Sequence, residues 1–144
     1  MIAIASDHAG IGLKADVSRL LQSLDIEVED LGPQDAKSVD YPDYAHLLAR
    51  AVSDGRIERG ILICGSGIGM SMAANRHSGV RAALCHDAYT AEMARRHNDA
   101  NVLCIGERTT GPGVAEQIVR VFIDTDFEGG RHQRRVAKIE LEKS

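Results

Sequence analysis

The chain has 144 residues, of which 44% are hydrophobic and 26% charged, the composition of a globular domain that can bury a sizeable core. Its net charge of −4 and pI of about 5.8 argue against general nucleic-acid binding. No apolar run reaches membrane-spanning length, no signal peptide is recognisable, and three cysteines form no Cys-x-x-Cys pair. We therefore expect a cytoplasmic protein that consists of one domain, residues 1–144.

Short apolar runs alternate with helical patterns along the chain. The runs that predict strands are Ile2–Ala5, Ile26–Leu31, Gly60–Cys64, Arg81–Cys85 and Val102–Ile105. Between them apolar residues recur at helical spacing, as in Leu13, Val17, Leu20, Leu21 and Leu24, in Tyr44, Leu47, Leu48, Ala51 and Val52, and in Val114, Ile118, Val121 and Phe122. This alternation predicts right-handed crossovers and an α/β fold, with a five-stranded parallel sheet covered by helices on both faces.

Polar residues follow four of the predicted strands at the point where each strand ends. They are Ser6-Asp7-His8 after the first strand, Cys64 with Gly65, Gly67 and Gly69 after the third, His86-Asp87 after the fourth, and Gly106-Glu107-Arg108 after the fifth. In open parallel sheets, ligands bind beyond the carboxyl ends of the strands. We therefore expect the active site at this edge of the sheet.

Cys64 is the most informative of these residues. A thiol between a strand end, a glycine-rich turn and a helix N-terminus meets backbone N–H groups and a helix dipole that favour a thiolate and bind anions. The plain alternative is a small core hydrophobe, as most unpaired cysteines are. The loop is not a dinucleotide fingerprint, because Met70 stands where a glycine is needed, and no Gly-Lys-Ser/Thr follows that would make a Walker A loop.

Three further motifs leave alternatives open. Asp7 is either a helix N-cap or a carboxylate that exchanges protons with a substrate. His97 lies at the end of the fourth predicted helix, where the plain interpretation is a basic C-terminus with Asn98 as its left-handed cap. Residues 131–144, behind Gly129-Gly130, predict either a solvated basic helix or an arm that brings arginines to an anion. The histidines show no metal-ligand spacing, so we expect no metal site.

Six segments together match a known pattern. They are Ser6-Asp7-His8-Ala9-Gly10, Asp40-Tyr41-Pro42, Ile63-Cys64-Gly65-Ser66-Gly67-Ile68-Gly69, Ala73-Ala74-Asn75, Arg96-His97-Asn98-Asp99-Ala100-Asn101 and Gly129-Gly130-Arg131-His132-Gln133. With them the sequence resembles, from Ile2 to about Ile139, the ribose-5-phosphate isomerase B family, which includes allose- and galactose-6-phosphate isomerases. The resemblance implies a Rossmann-like three-layer α/β/α sandwich with a C-terminal helical arm at 131–144. It also implies a cofactor-free aldose–ketose isomerase of small sugar phosphates, a homodimer or tetramer with its sites at the subunit interface.

The resemblance implies catalytic roles for single residues. Cys64 matches the base that moves a proton between C2 and C1 of the open-chain sugar. Another branch of the family uses a glutamate where this chain has Met70, so the chain resembles the cysteine branch. His97 matches the residue that opens the sugar ring. Asp7 and Ser66 match residues that bind the sugar hydroxyls and shuttle protons among them.

The resemblance also implies how the substrate is held. It places Tyr41 in the wall of the sugar pocket. It also implies that Asn98 and the backbone N–H groups of Gly65, Gly67 and Gly69 donate hydrogen bonds to the negatively charged enediolate. The phosphate ligands that it implies are His8, Arg131 and Arg135, with Arg108 supplied by the same or the neighbouring subunit. Arginine suits this task because its planar fork meets phosphate oxygens in pairs.

The substrate that we predict is ribose 5-phosphate, interconverted with ribulose 5-phosphate through an enediolate. Allose 6-phosphate, galactose 6-phosphate and a tetrose phosphate stay open, because no motif indicates the length of the sugar. A non-catalytic sugar-phosphate-binding paralogue is a further alternative, although it predicts loss of Cys64 or His97, and both are present. A flavodoxin-like nucleotide-binding module needs phosphate contacts after the first strand, where Asp7 would repel phosphate.

Overall fold

A computed structural model describes residues 1–141 of the chain. Within them the strands are β1 (Ile2–Ser6), β2 (Val28–Asp30), β3 (Arg59–Cys64), β4 (Ala82–Leu84) and β5 (Val102–Gly106). The α-helices are α1 (Ile11–Ser23), α2 (Tyr41–Ser53), α3 (Ile68–Ala74), α4 (Ala88–Asn98), α5 (Pro112–Asp124) and α6 (Arg131–Ala137), and a short 3-10 helix, His8–Gly10, precedes α1. No helix in this part of the chain is long and apolar enough to cross a membrane.

The strands form one sheet in the order β2-β1-β3-β5-β4, and every pair of neighbours is parallel. Ser6 is paired with Ile63, and Cys64 is paired with Gly106. The carboxyl ends of β1, β3 and β5 therefore lie side by side. These three strands are buried on both faces, which is why their sequences are continuous apolar runs rather than alternating patterns.

Helices cover both faces of the sheet. On one face α1, α4 and α5 bury an apolar cluster that includes Leu21, Ile118 and Phe122. On the other face α2 and α3 bury a cluster that includes Leu48 and Met70. The three-layer α/β/α architecture and the five-stranded parallel sheet confirm the prediction from the sequence, and the strand ends differ from the predicted ends by at most two residues.

The C-terminal arm is helical over a shorter range than the sequence predicts. The α6 helix begins at Arg131, as predicted, but ends at Ala137. The last residues of the predicted arm, 142–144, lie outside the described part of the chain. Only Val136 and Ile139 form the apolar stripe of this segment, which is too narrow to anchor further helical turns on the body of the protein.

The ends of α4 have identifiable causes. Its first turn is closed by a capping box, in which the N–H of Thr90 donates to Asp87 Oδ1 at 2.7 Å, so Asp87 has a structural role. The left-handed residue that ends the helix is Asp99, with φ of 47°, and not Asn98 as the capping interpretation predicts. The carboxylate of Asp99 reaches the buried Arg95 at 2.9 Å, and this ion pair fixes the turn.

Two asparagine side chains extend the short edge strand β4. Asn75 bonds to both backbone groups of Ala82, with Nδ2 donating to O at 2.9 Å and Oδ1 accepting from N at 2.8 Å. Asn101 accepts from the N–H of Arg81 and donates to the carbonyl of Gly79, each at 2.8 Å. Both asparagines belong to the segments that carry the family resemblance. In the structure their side chains bond to backbone groups at and just before the start of β4.

Candidate active site

Asp7 and His8 lie where β1 ends, and hydrogen bonds to the backbone fix both side chains. Asp7 Oδ1 accepts from the N–H groups of Ala9 (3.0 Å) and Gly10 (3.2 Å), so this carboxylate does cap the 3-10 helix. His8 Nδ1 accepts the N–H of Val39 at 3.2 Å. A neutral His8 ring therefore carries its proton on Nε2, which leaves Nε2–H as a donor for a ligand.

Cys64 ends β3, and its sulfur accepts a hydrogen bond from the loop that follows. The N–H of Gly67 donates to Sγ at 3.1 Å, and Cys64 is only 5% exposed. Gly67 has φ of 79°, and a Cβ at this position would lie 2.9 Å from the carbonyl carbon of Ile105, so only glycine fits the turn. The sequence predicts this N–H as a donor to the substrate, whereas in the structure it is engaged by the sulfur.

Tyr41 packs over the first turn of α3, next to the Cys64 loop. A Cβ on Gly69 would lie 2.5 Å from two carbon atoms of the Tyr41 ring, so the ring makes its close approach because residue 69 has no side chain. Tyr41 begins α2 and is 41% exposed. Its placement beside the loop agrees with the pocket-lining position that the resemblance implies.

The loop after β5 is bonded to the Cys64 loop. The N–H of Glu107 donates to the carbonyl of Cys64, and the N–H of Arg108 donates to the carbonyl of Gly65, each at 2.9 Å. The exposed Arg108 side chain extends beside Gly65 of the same chain, with its Nη1 3.6 Å from where a Cβ would stand. Glu107 Oε1 accepts the N–H of Leu13 at 3.0 Å, so a carboxylate already occupies the first turn of α1.

Cys85 and Cys104 have different surroundings from Cys64. Burial raises the pKa of the Cys85 thiol to about 11. Burial also raises the pKa of the Cys104 thiol, and the neighbouring Cys64 adds to that effect. Both thiols therefore stay protonated near neutral pH, and neither can act as a base there.

Four predicted site residues lie at the opposite end of the molecule. Because β4 and β5 are parallel, α4 between them runs antiparallel to the strands and ends at their amino edge. His97 and Asn98 occupy its last turn, and its 11 residues correspond to about 16 Å of rise from the carboxyl edge. The α6 helix packs on α4 with Arg131 and Arg135 exposed. One chain therefore does not bring these four residues to Cys64.

His97 is stacked on His132, to which the sequence interpretation gives no role. The ring centroids are 4.2 Å apart and the ring planes differ by 12°. His132 is buried, and its Nε2 lies 3.7 Å from Glu128 Oε1. The only signal in the sequence was its place in the Arg131-His132-Gln133 segment.

His97, Glu128 and His132 have the residue types of a metal site. One ligand atom each of His97, Glu128 and His132 lies within 4.8 Å of the other two, and two histidines with a glutamate are a zinc ligand set. However, the lone pairs of two stacked rings run along parallel planes and do not meet at one point. Burial, His97 and the positive charge of Arg131 all lower the pKa of His132, and the charge of Arg131 opposes a bound metal cation. The geometry does not fit a metal ion.

Comparisons with known proteins agree with the fold and identify the family. Residues 2–139 match the family model described as Ribose/Galactose Isomerase. The chain is 50% identical over 139 residues to the putative sugar phosphate isomerase YwlF of Bacillus subtilis, with 96% of this chain and 93% of that protein covered. It is 44% identical over 138 residues to ribose-5-phosphate isomerase B of Escherichia coli, with the same coverage of 96% and 93%.

Two further relatives bear on structure and substrate. The D-erythrulose-4-phosphate isomerase of Pectobacterium atrosepticum is 44% identical over 140 residues, with 96% of this chain and 91% of that protein covered. The solved structure of Clostridium thermocellum ribose-5-phosphate isomerase B has a TM-score of 0.94 at 48% identity, with 96% of this chain and 93% of that chain covered. The chain therefore belongs to the ribose/galactose isomerase family, and it is a sugar phosphate isomerase of the aldose–ketose type.

Proposed function

We propose that this isomerase interconverts ribose 5-phosphate and ribulose 5-phosphate through an enediolate, with Cys64 as the base. The observation that carries the proposal is the hydrogen bond of 3.1 Å from the Gly67 N–H to Cys64 Sγ at the end of β3. This N–H points at the sulfur, the atom that would take the proton, and a thiol takes a C–H proton only as the thiolate. Neither of the other two thiols can supply that form near neutral pH.

The proton path follows from the neighbours of Cys64. In the aldose-to-ketose direction, Sγ takes the proton from C2 of the open-chain sugar and returns it to C1. The electron pair of the C2–H bond forms the C1–C2 double bond, and the carbonyl electron pair moves to O1. Asp7 lies beside Cys64, because its N–H donates to Ile63 O at 3.1 Å, and it transfers protons between O1 and O2 together with the Ser66 hydroxyl.

The negative charge of the enediolate needs hydrogen-bond donors near the loop. The N–H of Gly67 is engaged by Sγ, and the N–H of Ile68 donates to Ser66 Oγ at 3.3 Å. Gly65 and Gly69 therefore remain as donors among the three glycines of the loop. Each donor of this kind is typically worth roughly 3 kcal/mol in the transition state.

The complete site needs a second copy of the chain. His97 and Asn98 lie in the last turn of α4, about 16 Å along the helix from the edge that carries Cys64, and Arg131 and Arg135 lie on α6, which packs on α4. A two-fold homodimer resolves this separation, because each chain can offer its Cys64 edge to the α4–α6 end of its partner. In such a dimer every site combines residues of both subunits, and two equivalent sites form.

The surface around the Cys64 edge suits such a contact. Ile68 and Met72, one turn apart on α3, are 47% and 67% exposed, and Tyr89 at the start of α4 is 68% exposed. Exposed apolar side chains of this size form the centre of protein interfaces. A groove of about 870 Å³ beside β4 has Asn98 and Leu141 in its wall and no residue of the Cys64 loop, so it is not the catalytic pocket of one chain.

The partner subunit supplies ring opening and most of the phosphate site. His97 transfers a proton to or from the ring oxygen of the cyclic sugar. Arg131 and Arg135 of the same subunit bind the phosphate together with His8 and Arg108 from the Cys64 edge. The Arg108 side chain lies beside Gly65 of its own chain, so it can serve the site at the Cys64 edge of the same subunit.

The length of the sugar is tested by kinetics on four-, five- and six-carbon substrates. We expect the highest kcat/KM with ribose 5-phosphate, and lower values with erythrose 4-phosphate, allose 6-phosphate and galactose 6-phosphate. A higher kcat/KM with another aldose phosphate would assign that sugar instead, and one relative is named a D-erythrulose-4-phosphate isomerase. No turnover of any of them would contradict the catalytic proposal and favour a sugar-phosphate-binding protein.

A further inference from the structure

We propose that His132 is a positioning residue, whose ring holds the ring of His97 in the orientation that sugar ring opening requires. The inference rests on the proposed function of His97. It starts from the stacked pair of imidazoles, with centroids 4.2 Å apart and planes inclined by 12°. His97 is in the last turn of α4, where its chain neighbours Arg96 and Asn98 are exposed, so a buried stacking partner is what orients this ring.

His132 is itself held firmly against α4. The N–H of Glu128 donates to the carbonyl of Arg96 at 3.0 Å, which ties the segment before α6 to the end of α4. Gly129 and Gly130, with φ of 69° and 56°, then turn the chain, and the N–H of His132 donates to the carbonyl of Gly129 at 3.1 Å. His132 enters the interior at 7% exposure, in a helix whose other side chains are mostly exposed.

The polar atoms of His132 do not explain its burial. Nε2 is buried without a hydrogen-bond partner among the described residues, and Glu128 Oε1 lies 3.7 Å from it. A buried nitrogen of this kind costs free energy, so the contribution of the ring lies in its stacking face. Burial lowers the pKa of His132, and His97 and Arg131 lower it further, so His132 stays neutral near neutral pH. A neutral ring does not repel a proton on His97.

Orientation of His97 matters because proton transfer depends on geometry. A general acid or base must reach the reacting oxygen within hydrogen-bond distance, and a displacement of about 1 Å can cost on the order of 100-fold in rate. Loss of the stack should therefore impair ring opening selectively. The proton transfer at C1 and C2, which Cys64 performs on an open chain, should stay unchanged.

The test compares two reactions of the full-length enzyme. Conversion of ribose 5-phosphate starts from a closed ring and needs ring opening. Exchange of the C1 hydrogen of ribulose 5-phosphate with D2O does not, because the hydroxyl that would close a five-membered ring carries the phosphate. The variants are His132→Leu, which fills the buried space but cannot stack, and His132→Phe, which keeps a stacking face.

We expect His132→Leu to lower ribose 5-phosphate conversion by about tenfold or more, with C1 exchange within about threefold of the wild type. His132→Phe should keep both activities within about threefold. The proposal is overturned if His132→Leu leaves conversion unchanged, if it lowers both reactions equally, or if His132→Phe is as impaired as His132→Leu. His97→Asn separates the two proposals: an equal loss in both reactions for this variant would refute ring opening by His97 itself.

Discussion

Mixing two inactive variants should restore activity, because Cys64 and His97 lie at opposite edges of the sheet. The variants are Cys64→Ser, which removes the base, and His97→Asn, which removes the ring-opening imidazole. In a heterodimer of these chains, one site contains both substitutions and the other contains neither. The intact site combines Cys64 of the His97→Asn chain with His97 of the Cys64→Ser chain.

The size of the recovery follows from symmetry. Random pairing of equal amounts gives about half heterodimers, and each heterodimer has one intact site of two, so the mixture should reach about 25% of wild-type activity. The assay is ribose 5-phosphate turnover after the two chains have been unfolded and refolded together. A matched control mixes Cys64→Ser with Asp7→Asn, both from the same edge, and should show no recovery. Turnover of the first mixture no higher than that of its parents would refute a site shared between subunits.

Two further predictions concern binding. Arg131→Ala should raise KM by about tenfold or more through loss of a charged phosphate contact. Arg134→Ala, on the same exposed helix, is the control and should change KM little. Steady-state kinetics measures both, and an unchanged kcat/KM for Arg131→Ala would contradict the assignment. Gly69→Ala should raise KM by about threefold or more, because its Cβ would lie 2.5 Å from the Tyr41 ring and displace it. Gly111→Ala is its control, since nothing lies within 4 Å of a Cβ there, and equal kinetics for both would contradict the role of Tyr41.

The fold class, though not the strand order, was predictable because its causes are local in the sequence. Buried parallel strands are short apolar runs, and the helices between them keep their apolar residues at helical spacing. The edge that carries Asp7, Cys64 and Arg108 follows from the same pattern, since the carboxyl ends of parallel strands meet on one side. The end of α6 was less predictable, because the segment has too few apolar residues to fix its length.

Only part of the site could be predicted from the sequence, because the rest depends on contacts between distant segments and between subunits. The order of predicted elements puts His97 at the end of the helix between the fourth and fifth strands, and therefore at the amino edge, whereas only the family resemblance joined it to Cys64. A single sequence does not show which surface a second copy covers. The Gly67 N–H is directed at Cys64 by a left-handed turn at residue 67, which packs against Ile105, and the stack on His132 depends on how α6 packs on α4. The packing against Ile105 and the stack on His132 are tertiary contacts without a local signal.

Solvent exchange in the Cys64→Ser enzyme tests the central claim most directly. The measurement is the incorporation of deuterium from D2O at C2 of ribose 5-phosphate, recorded beside turnover, with Cys85→Ser as the control because the raised pKa of Cys85, about 11, keeps it from acting as a base. A hydroxyl is a far weaker acid than a thiol, so Cys64→Ser should lose both exchange and turnover by about 100-fold or more, while Cys85→Ser keeps both. Near-normal exchange in Cys64→Ser would contradict the account and assign the base to another residue, with Asp7 as the first candidate.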